Sequence, residues 1–476
     1  MADVRQATIQ WKGTAMAGTY FEPYVPSAAD PFDAGKAAHL LRRAGFGAPP
    51  ARVAAAVQKG LEETIDDLFA EADDEEQEFA RTFNAINGKF VNAGDAGVCQ
   101  AWWIYRMVTT RVPLREKLAL FWHGHFATSI HKVEDTQLML QQVDTFRRLG
   151  FGSLRELVLA VAKDPAMIVW LDGESNVKEH PNENFARELM ELFTCGIGNY
   201  TEQDVQQAAR AFTGWHRIGS QFVFNAEAHD TGAKKILGRR GKFDGGDVID
   251  LLMAHAATAR FIARKLLRFF AAPQPTDDVV AEAAALYDRT QLNTRSFLRE
   301  LFQSQYFFSE ECRRTRIASP AEFVIGIART LNLRQPALDL VGQMNPMGQE
   351  LLAPPNVKGW DGEEKWINAT TLAARMTYAR SIPEMNADDN QFNPHFPADE
   401  LVAPDNKSPA DVVERLAQAL FQGEISADNR LEFEKFLLAG DDGPQPEAFR
   451  DDDGFRATKV RQLVGVMLAL PEFQAY

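Results

Sequence analysis

Apolar residues recur at helical spacing through most of this chain, and Gly, Pro or Asp interrupts the pattern after every few turns. In segments such as ATARFIARKLLRFFA (257–271) and TRSFLRELFQSQYFF (294–308), apolar side chains stand three and four residues apart, which places them on one helix face. The frequent breaks keep each predicted helix short. The sequence therefore predicts a mostly α protein, built as a multi-helix bundle.

Strand-like sequence is scarce and concentrated in one region. SQFVFNAEAH (220–229) and KKILGRRGKFDG (234–245) alternate apolar and polar residues on either side of a His-Asp-Thr-Gly turn. We expect the two segments to pair as one small β-hairpin near 220–245, inserted among the helices.

Composition changes along the chain suggest a division into four parts. Residues 386–407 are rich in Asn, Asp and Pro and look like a loop, whereas helical periodicity resumes after them. We predict an N-terminal extension (1–32), a helical core that carries the hairpin (33–385), a loop-like linker (386–407) and a C-terminal helical subdomain (408–476).

The charge balance and the cysteines exclude several classes of protein. The 476 residues include 51 Lys and Arg against 66 Asp and Glu, a net charge of −15, which disfavours binding to nucleic acid. The three cysteines are far apart and lack the CxxC spacing of zinc and redox motifs, so no disulfide framework is expected.

The sequence as written carries neither an export signal nor a membrane helix. Its first residues lack a basic segment followed by an apolar one, and no stretch approaches the roughly 20 apolar residues that span a bilayer. We expect a cytoplasmic protein, or an exported one if the start is truncated.

The stretch 170–215 crowds ionic and amide side chains around two predicted helices. Asn182 is a good N-cap for a helix that begins near Glu183, and Thr201 starts the next helix. On the first helix, Glu183, Arg187 and Glu191 follow at steps of four residues. These charges indicate either a functional site or an ordinary ion-pair ladder on a solvated face.

A second polar group falls in LREKLALFWHGHFATSIHK (114–132), where Gly124 is expected to end a helix. His123 lies near the helix C-terminus, where the macrodipole favours a protonated imidazole. His123 and His125 could bind one metal ion only if the chain turns between them, because residues two apart on a helix point to nearly opposite sides. The adjacent His229 and Asp230 are a further weak metal signal.

Other residues suggest a binding pocket. Arg43 stands beside a predicted helix end and suits carboxylate, sulfate or phosphate, although the pairing of its guanidinium with local carbonyls and acids is the stronger alternative. In the rigid PPNVKGW loop (354–360), Lys358 and Trp360 could line a pocket. The signatures GxSxG, GxxxxGK[ST], GxGxxG at a strand–helix junction and HExxH are absent from the sequence, which disfavours the enzyme classes that use them.

Six segments, in this order, resemble the signature blocks of the bacterial family known as domain of unknown function 1800. They are HLLRRAGFG (39–47), LREKLALFWHGHFATS (114–129), PNENFARELMELFTCGIGNYTEQDV (181–205), ARAFTGW (209–215), HDTGAKKILG (229–238) and PPNVKGW (354–360). The resemblance implies a mostly helical protein whose relatives are commonly exported and often encoded beside a sulfatase-like protein, which becomes an expected partner. It implies no reaction and no catalytic residues.

Two functional classes remain. In the first, the protein is a hydrolase-type enzyme that acts on a polar or anionic saccharide, by acid–base chemistry or with a divalent metal. In the second, it is a helical scaffold or partner protein held together by a buried polar network. The enzyme hypothesis assigns Glu183, Glu188, Glu191 and His125 to catalysis, Asn182, Asn184, Arg187, Lys178, Arg43, Trp360 and Lys358 to substrate binding, and His123, His125, His229 and Asp230 to a metal.

Overall fold

The computed structural model describes residues 19–87, 94–385 and 394–476. Helices dominate this part of the chain and its strands form only two-stranded antiparallel hairpins, so the predicted mostly α fold is confirmed. Positions 1–18 of the predicted extension and 386–393 of the predicted linker lie outside the described residues. None of the described helices is both long and apolar enough to cross a membrane.

The helices fall into two groups along the chain, separated by the first two hairpins. Those before the first hairpin are α1 (Ala34–Arg43), α2 (Pro50–Lys59), α3 (Leu61–Leu68), α4 (Asp73–Asn87), α5 (Ala96–Thr109), α6 (Pro113–His125), α7 (Ile130–Val133), α8 (Thr136–Leu149), α9 (Leu154–Ala162), α10 (Pro165–Trp170), α11 (Asn184–Glu188) and α12 (Glu202–Ala211). Those after the second hairpin are α13 (Gly245–Met253), α14 (Ala256–Phe270), α15 (Asp277–Arg289), α16 (Thr294–Gln303), α17 (Pro320–Thr330), α18 (Ala337–Met344), α19 (Ala369–Ser381), α20 (Ala398–Leu401), α21 (Pro409–Phe421), α22 (Ala427–Leu438), α23 (Pro446–Asp451) and α24 (Asp453–Leu468).

The predicted hairpin region forms two hairpins instead of one. Strand β1 (Trp215–Ile218) pairs with β2 (Gln221–Phe224), and β3 (Lys234–Ile236) pairs with β4 (Arg239–Gly241). The expected pairing across the His-Asp-Thr-Gly turn is wrong. Strand β2 pairs with the preceding β1, and β3 pairs with the following β4, each through a tight two-residue turn. A third hairpin joins β5 (Ala439–Gly440) to β6 (Gly443–Pro444).

Helix α6 lies at the centre of the fold. Every residue of it is buried except Arg115 and Gly124, which are half-buried. The expectation that the helix ends at Gly124 is wrong, since it continues through His125. A helix without a solvent face has to bury its polar residues as well, and each of them then needs a partner inside the protein.

Glu116 of α6 is the hub of one buried network. Its carboxylate accepts hydrogen bonds from Trp103 Nε1 (3.0 Å), Arg106 Nε (3.3 Å) and Arg147 Nε (2.8 Å). Both arginines also bind Glu76 on α4. Burial alone would raise the pKa of Glu116, and the two arginines more than offset it and hold that pKa below its usual value. The network ties α4, α5, α6 and α8 together.

Lys117, the next residue, points into a second network. Its ammonium donates to the Glu322 carboxylate at 2.6 Å, and both side chains are fully buried. Glu322 also binds Arg316 Nη1 (3.1 Å) and the Ser319 backbone N–H (2.8 Å), so it begins α17 as part of a capping box. Burial lowers the pKa of Lys117 to about 8 despite this pairing.

The later helices share the core of the earlier ones. Buried apolar side chains from Tyr24 to Tyr476 form one contiguous cluster. Phe473, near the end of the chain, packs against both α17 and α21. The centroid of its ring lies 5.9 Å from that of Phe323 on α17 and 5.9 Å from that of Phe421 on α21. The separate C-terminal subdomain (408–476) stays a prediction.

The polar stretch around Glu183 forms a short helical hairpin, as predicted. Asn182 Oδ1 accepts the Asn184 backbone N–H at 2.9 Å, and α11 follows. After Glu188 the helix widens into a π-helical turn (Leu189–Phe193). Such turns are rare in proteins, and those that occur are often found at functional sites. The predicted capping box of Thr201 and Asp204 begins α12.

The PPNVKGW loop packs on the C-terminal end of α6. Gly359 has a φ of +83°, and a Cβ added there would lie 2.1 Å from the Gly124 carbonyl oxygen. Only glycine tolerates both the left-handed backbone and this approach. The contact holds the following Trp360 ring 5.5 Å from that of His123, between centroids.

We predict that Glu322→Leu destabilises the protein by roughly 3–5 kcal/mol, because it leaves the buried Lys117 without a carboxylate and Arg316 with Glu363 alone. Lys117→Met should cost less, since Glu322 keeps Arg316 as a partner. Urea unfolding measures both variants. The exposed pair of Lys435 and Glu432 is the control, and Lys435→Met should change little. Equal stability of Glu322→Leu and the parent protein would contradict the role of this pair.

We also predict that Gly359→Ala destabilises the protein by roughly 1–3 kcal/mol, because the loop has to move away from α6. Gly124→Ala is the matched control on the other side of the contact. Its Cβ would lie 3.7 Å from the Trp360 ring, an ordinary contact, so thermal unfolding should show it unchanged or slightly stabilised. The prediction fails if the two variants behave alike.

Candidate functional site

A cavity of about 190 Å³ opens where the end of α6 meets α14 and the loops around residues 316 and 360. Its walls combine aromatic rings with charged and amide groups. They comprise Leu120, Phe121, Gly124, His125, Lys265, Arg268, Phe269, Arg316, Ser319, Gln349, Lys358, Trp360, Asp361, Gly362, Glu363 and Trp366. Three residues predicted from the sequence, His125, Lys358 and Trp360, therefore lie together in one cavity.

Lys265 on α14 is a cavity-wall lysine with a depressed pKa. Its Nζ lies 3.0 Å from His125 Nδ1 and donates to the Leu192 carbonyl at 3.2 Å. Burial, and then the neighbouring Arg268, lower the pKa of Lys265 to about 8. The Phe261 ring lies 4.8 Å from Nζ. At neutral pH this lysine is therefore still charged in most molecules, with a minor neutral fraction that is larger than for an exposed lysine.

His125 connects Lys265 to the π-helical turn. Its Nε2 lies 3.1 Å from the Phe193 carbonyl, which can only accept, so Nε2 carries the proton and Nδ1 accepts from Lys265. Burial, and then the Lys265 ammonium, hold the pKa of His125 well below its usual value. The carbonyls that end the π-helical turn thus position both side chains.

His123 faces the other side of α6. Its Nε2 accepts the Leu352 backbone N–H at 3.1 Å, and burial lowers its pKa to about 3. The expected protonated imidazole is therefore wrong, because the loss of hydration outweighs the helix dipole. Since α6 does not turn between His123 and His125, one metal ion cannot bind both rings.

Two exposed cations line the cavity. In the described part of the chain, neither Arg268 nor Lys358 forms a salt bridge with a carboxylate, whereas Arg316 binds Glu322 and Glu363. The wall carries more cations than carboxylates, an excess that favours an anion: Lys265, Arg268, Arg316 and Lys358 against Asp361 and Glu363.

The three predicted carboxylates lie outside the cavity wall. Glu183 and the exposed Glu202 both bind Arg187. These ion pairs are of the kind that the alternative interpretation, a ladder on a solvated face, predicts. Glu191 accepts the Tyr200 hydroxyl at 3.1 Å. Burial, and then the Glu191 carboxylate, raise the pKa of the half-buried Glu188.

The other predicted polar residues around this hairpin hold its turns. Asn182 Nδ2 donates to Ser175 Oγ at 2.7 Å, and Lys178 Nζ donates to the Glu227 carbonyl at 2.6 Å. The exposed Asn184 amide lies 3.4 Å from an Asp172 carboxylate oxygen.

Arg43, His229 and Asp230 also lie away from the cavity wall. Arg43 is fully buried and donates to the Cys312 carbonyl. His229 Nδ1 lies 2.8 Å from the Thr213 carbonyl. Both oxygens of Asp230 bind Arg210, which lowers the pKa of this carboxyl. Among the described residues, no three His, Cys, Asp or Glu side chains come together in a group that could hold a metal ion.

Lys265 and Arg268 were missed by the sequence-based prediction. Lys265 stands four residues after Phe261 and four before Phe269, so it shares a helix face with two aromatic rings. A lysine between two aromatic residues on one helix face was the sequence signal that could have identified it. Its partners come from α6 and the π-helical turn, and helical spacing does not show that these elements meet.

Comparison with known proteins agrees with the resemblance seen in the signature blocks. No curated protein sequence and no solved structure matches the chain. A family model described as "Protein of unknown function (DUF1800)" matches residues 39–475, which extends past the predicted linker and through the C-terminal helices. The chain therefore belongs to this DUF1800 family of proteins of unknown function.

Proposed function

We propose that the cavity binds one small anionic, polar molecule of about the size of a single acidic sugar unit, and that Lys265 exchanges a proton with it. The observation that carries this proposal is the position of Lys265 in the cavity wall, held by His125 and the Leu192 carbonyl. A pKa of about 8 suits proton transfer near neutral pH. Lys265 thus takes the acid–base role first assigned to the glutamates.

The size of the cavity supports a small ligand. About 190 Å³ lies below the roughly 300–1,000 Å³ of sites for drug-sized molecules. The unpaired charges of Arg268 and Lys358 favour an anion, because a carboxylate forms strong charge-assisted hydrogen bonds with such groups.

The remaining wall suits a sugar ring. Trp360 and Trp366 offer aromatic surface, which covers the apolar face of a ring. Gln349 Oε1 accepts the Ala321 backbone N–H at 2.9 Å, and this bond fixes the amide so that Nε2 is left for a hydroxyl or carboxylate of the ligand.

The scaffold alternative is supported by a different observation. The Glu116 network joins four helices through fully engaged charges. Such a network stabilises the arrangement of the helices without touching the cavity. The two functions are compatible, because the rigid helices also hold the cavity wall.

Calorimetric titration with glucuronate and with uncharged glucose tests the proposal. Glucuronate should bind more tightly, and Arg268→Gln or Lys358→Gln should each weaken it roughly tenfold, since a hydrogen bond to a charged group contributes about 1.5–3 kcal/mol. Lys235→Gln, an exposed lysine on β3, is the control and should leave the affinity unchanged. Absence of binding, or equal binding of the two sugars, would contradict an anion-selective cavity.

The affinity for glucuronate should also depend on pH in a defined direction. Below about 8 the Lys265 ammonium attracts the anion, and as the pH rises through this value the charge and the attraction are lost. The same titration repeated across this range should show weaker binding at the alkaline end. In Lys265→Met the decline near pH 8 should disappear, and a decline that persists in this variant would assign it to another group.

A further inference from the structure

The neutral form of Lys265 has a defined direction for its lone pair. A lysine amine without its extra proton keeps two N–H groups and one lone pair. Two acceptors already lie beside Nζ, His125 Nδ1 at 3.0 Å and the Leu192 carbonyl at 3.2 Å. If both N–H groups donate to them, the lone pair takes the third position on the nitrogen, and Lys265 belongs to the cavity wall.

The surroundings of this amine are those of nucleophilic lysines. Such lysines are desolvated in an apolar pocket or stand next to another cation, and both conditions keep part of the amine uncharged. Here Phe121 and Phe269 line the same cavity, and Arg268 follows one helical turn later.

We propose that Lys265 forms a Schiff base with a small carboxylate that carries an aldehyde or ketone, such as a 2-oxo acid or the open-chain form of an acidic sugar. The proposal rests on the proposed function, since it uses the same cavity and the same preference for anions. Arg268 and Lys358 would bind the carboxylate, and the carbonyl carbon would lie against Nζ.

The reaction balances without a further reagent. The Nζ lone pair forms a bond to the carbonyl carbon, and the carbonyl oxygen takes up the electrons of its π bond and a proton. The carbinolamine then loses that oxygen as water, which carries away two hydrogens that were on nitrogen. The products are an imine and one molecule of water. His125 Nδ1 is a positioning group in this step, because it accepts a hydrogen bond from Nζ before the attack.

Reductive trapping tests the proposal. The full-length protein is incubated with glyoxylate and cyanoborohydride, which reduces an imine to a stable amine, and the modified lysine is identified by peptide mass mapping. We expect one adduct, on Lys265, which forms faster as the pH rises towards about 8 and which is lost in Lys265→Arg. Acetaldehyde, which has the carbonyl but no charge, should label Lys265 much more slowly.

Lys235→Arg is the matched control and should keep the adduct on Lys265, because Lys235 is exposed on β3. If Lys265→Arg does not unfold cooperatively, the variant is not folded, and the position of the adduct in the peptide map of the parent protein decides the test alone. Adducts spread over surface lysines, with Lys265 unmodified, would overturn the Schiff base while glucuronate binding upholds the proposed function. Loss of both trapping and glucuronate binding would overturn both.

Discussion

The burial of α6 on all sides is the constraint on which the rest of the structure depends. A helix with no solvent face that carries Glu116 and Lys117 side by side must find an ionic partner for each, in different directions. Glu116 therefore draws Arg106 and Arg147 inward, and Lys117 draws Glu322 and the start of α17. These two networks fix the helices around α6, and with them the place where its C-terminal end emerges.

The cavity is a consequence of how that end is covered. Gly359 lets the PPNVKGW loop lie on the Gly124 carbonyl, and the π-helical turn brings the Leu192 and Phe193 carbonyls to the other side. Between them stand the buried His125 and the half-buried Lys265, each oriented by a backbone acceptor. The low pKa of Lys265 follows from this enclosure and from Arg268. A rigid scaffold and a reactive amine are thus two results of the same packing.

Local sequence patterns predicted the fold class and the capping box at Thr201, because these depend on spacing, and they grouped Lys358 with Trp360 because one loop carries both. Patterns of the same kind placed the acid–base groups on the helix after Asn182, where the structure shows a half-buried ion pair of Glu183 and Arg187. Lys265 was missed because its environment is made by elements distant in sequence. The buried charges of α6 decide which helices meet, and helical periodicity does not show which helices pair with one another.

The pKa of the Lys265 amine in solution tests the central claim most directly. It can be measured by carbon-13 NMR of the lysine ε-methylene groups over a range of pH, with Lys265→Arg to assign the resonance. We predict a midpoint near 8 that rises when glucuronate is added, whereas the equally depressed Lys117 should not respond because it is fully buried with Glu322. A midpoint for Lys265 near the roughly 10.4 of exposed lysines, unchanged by glucuronate, would contradict the account.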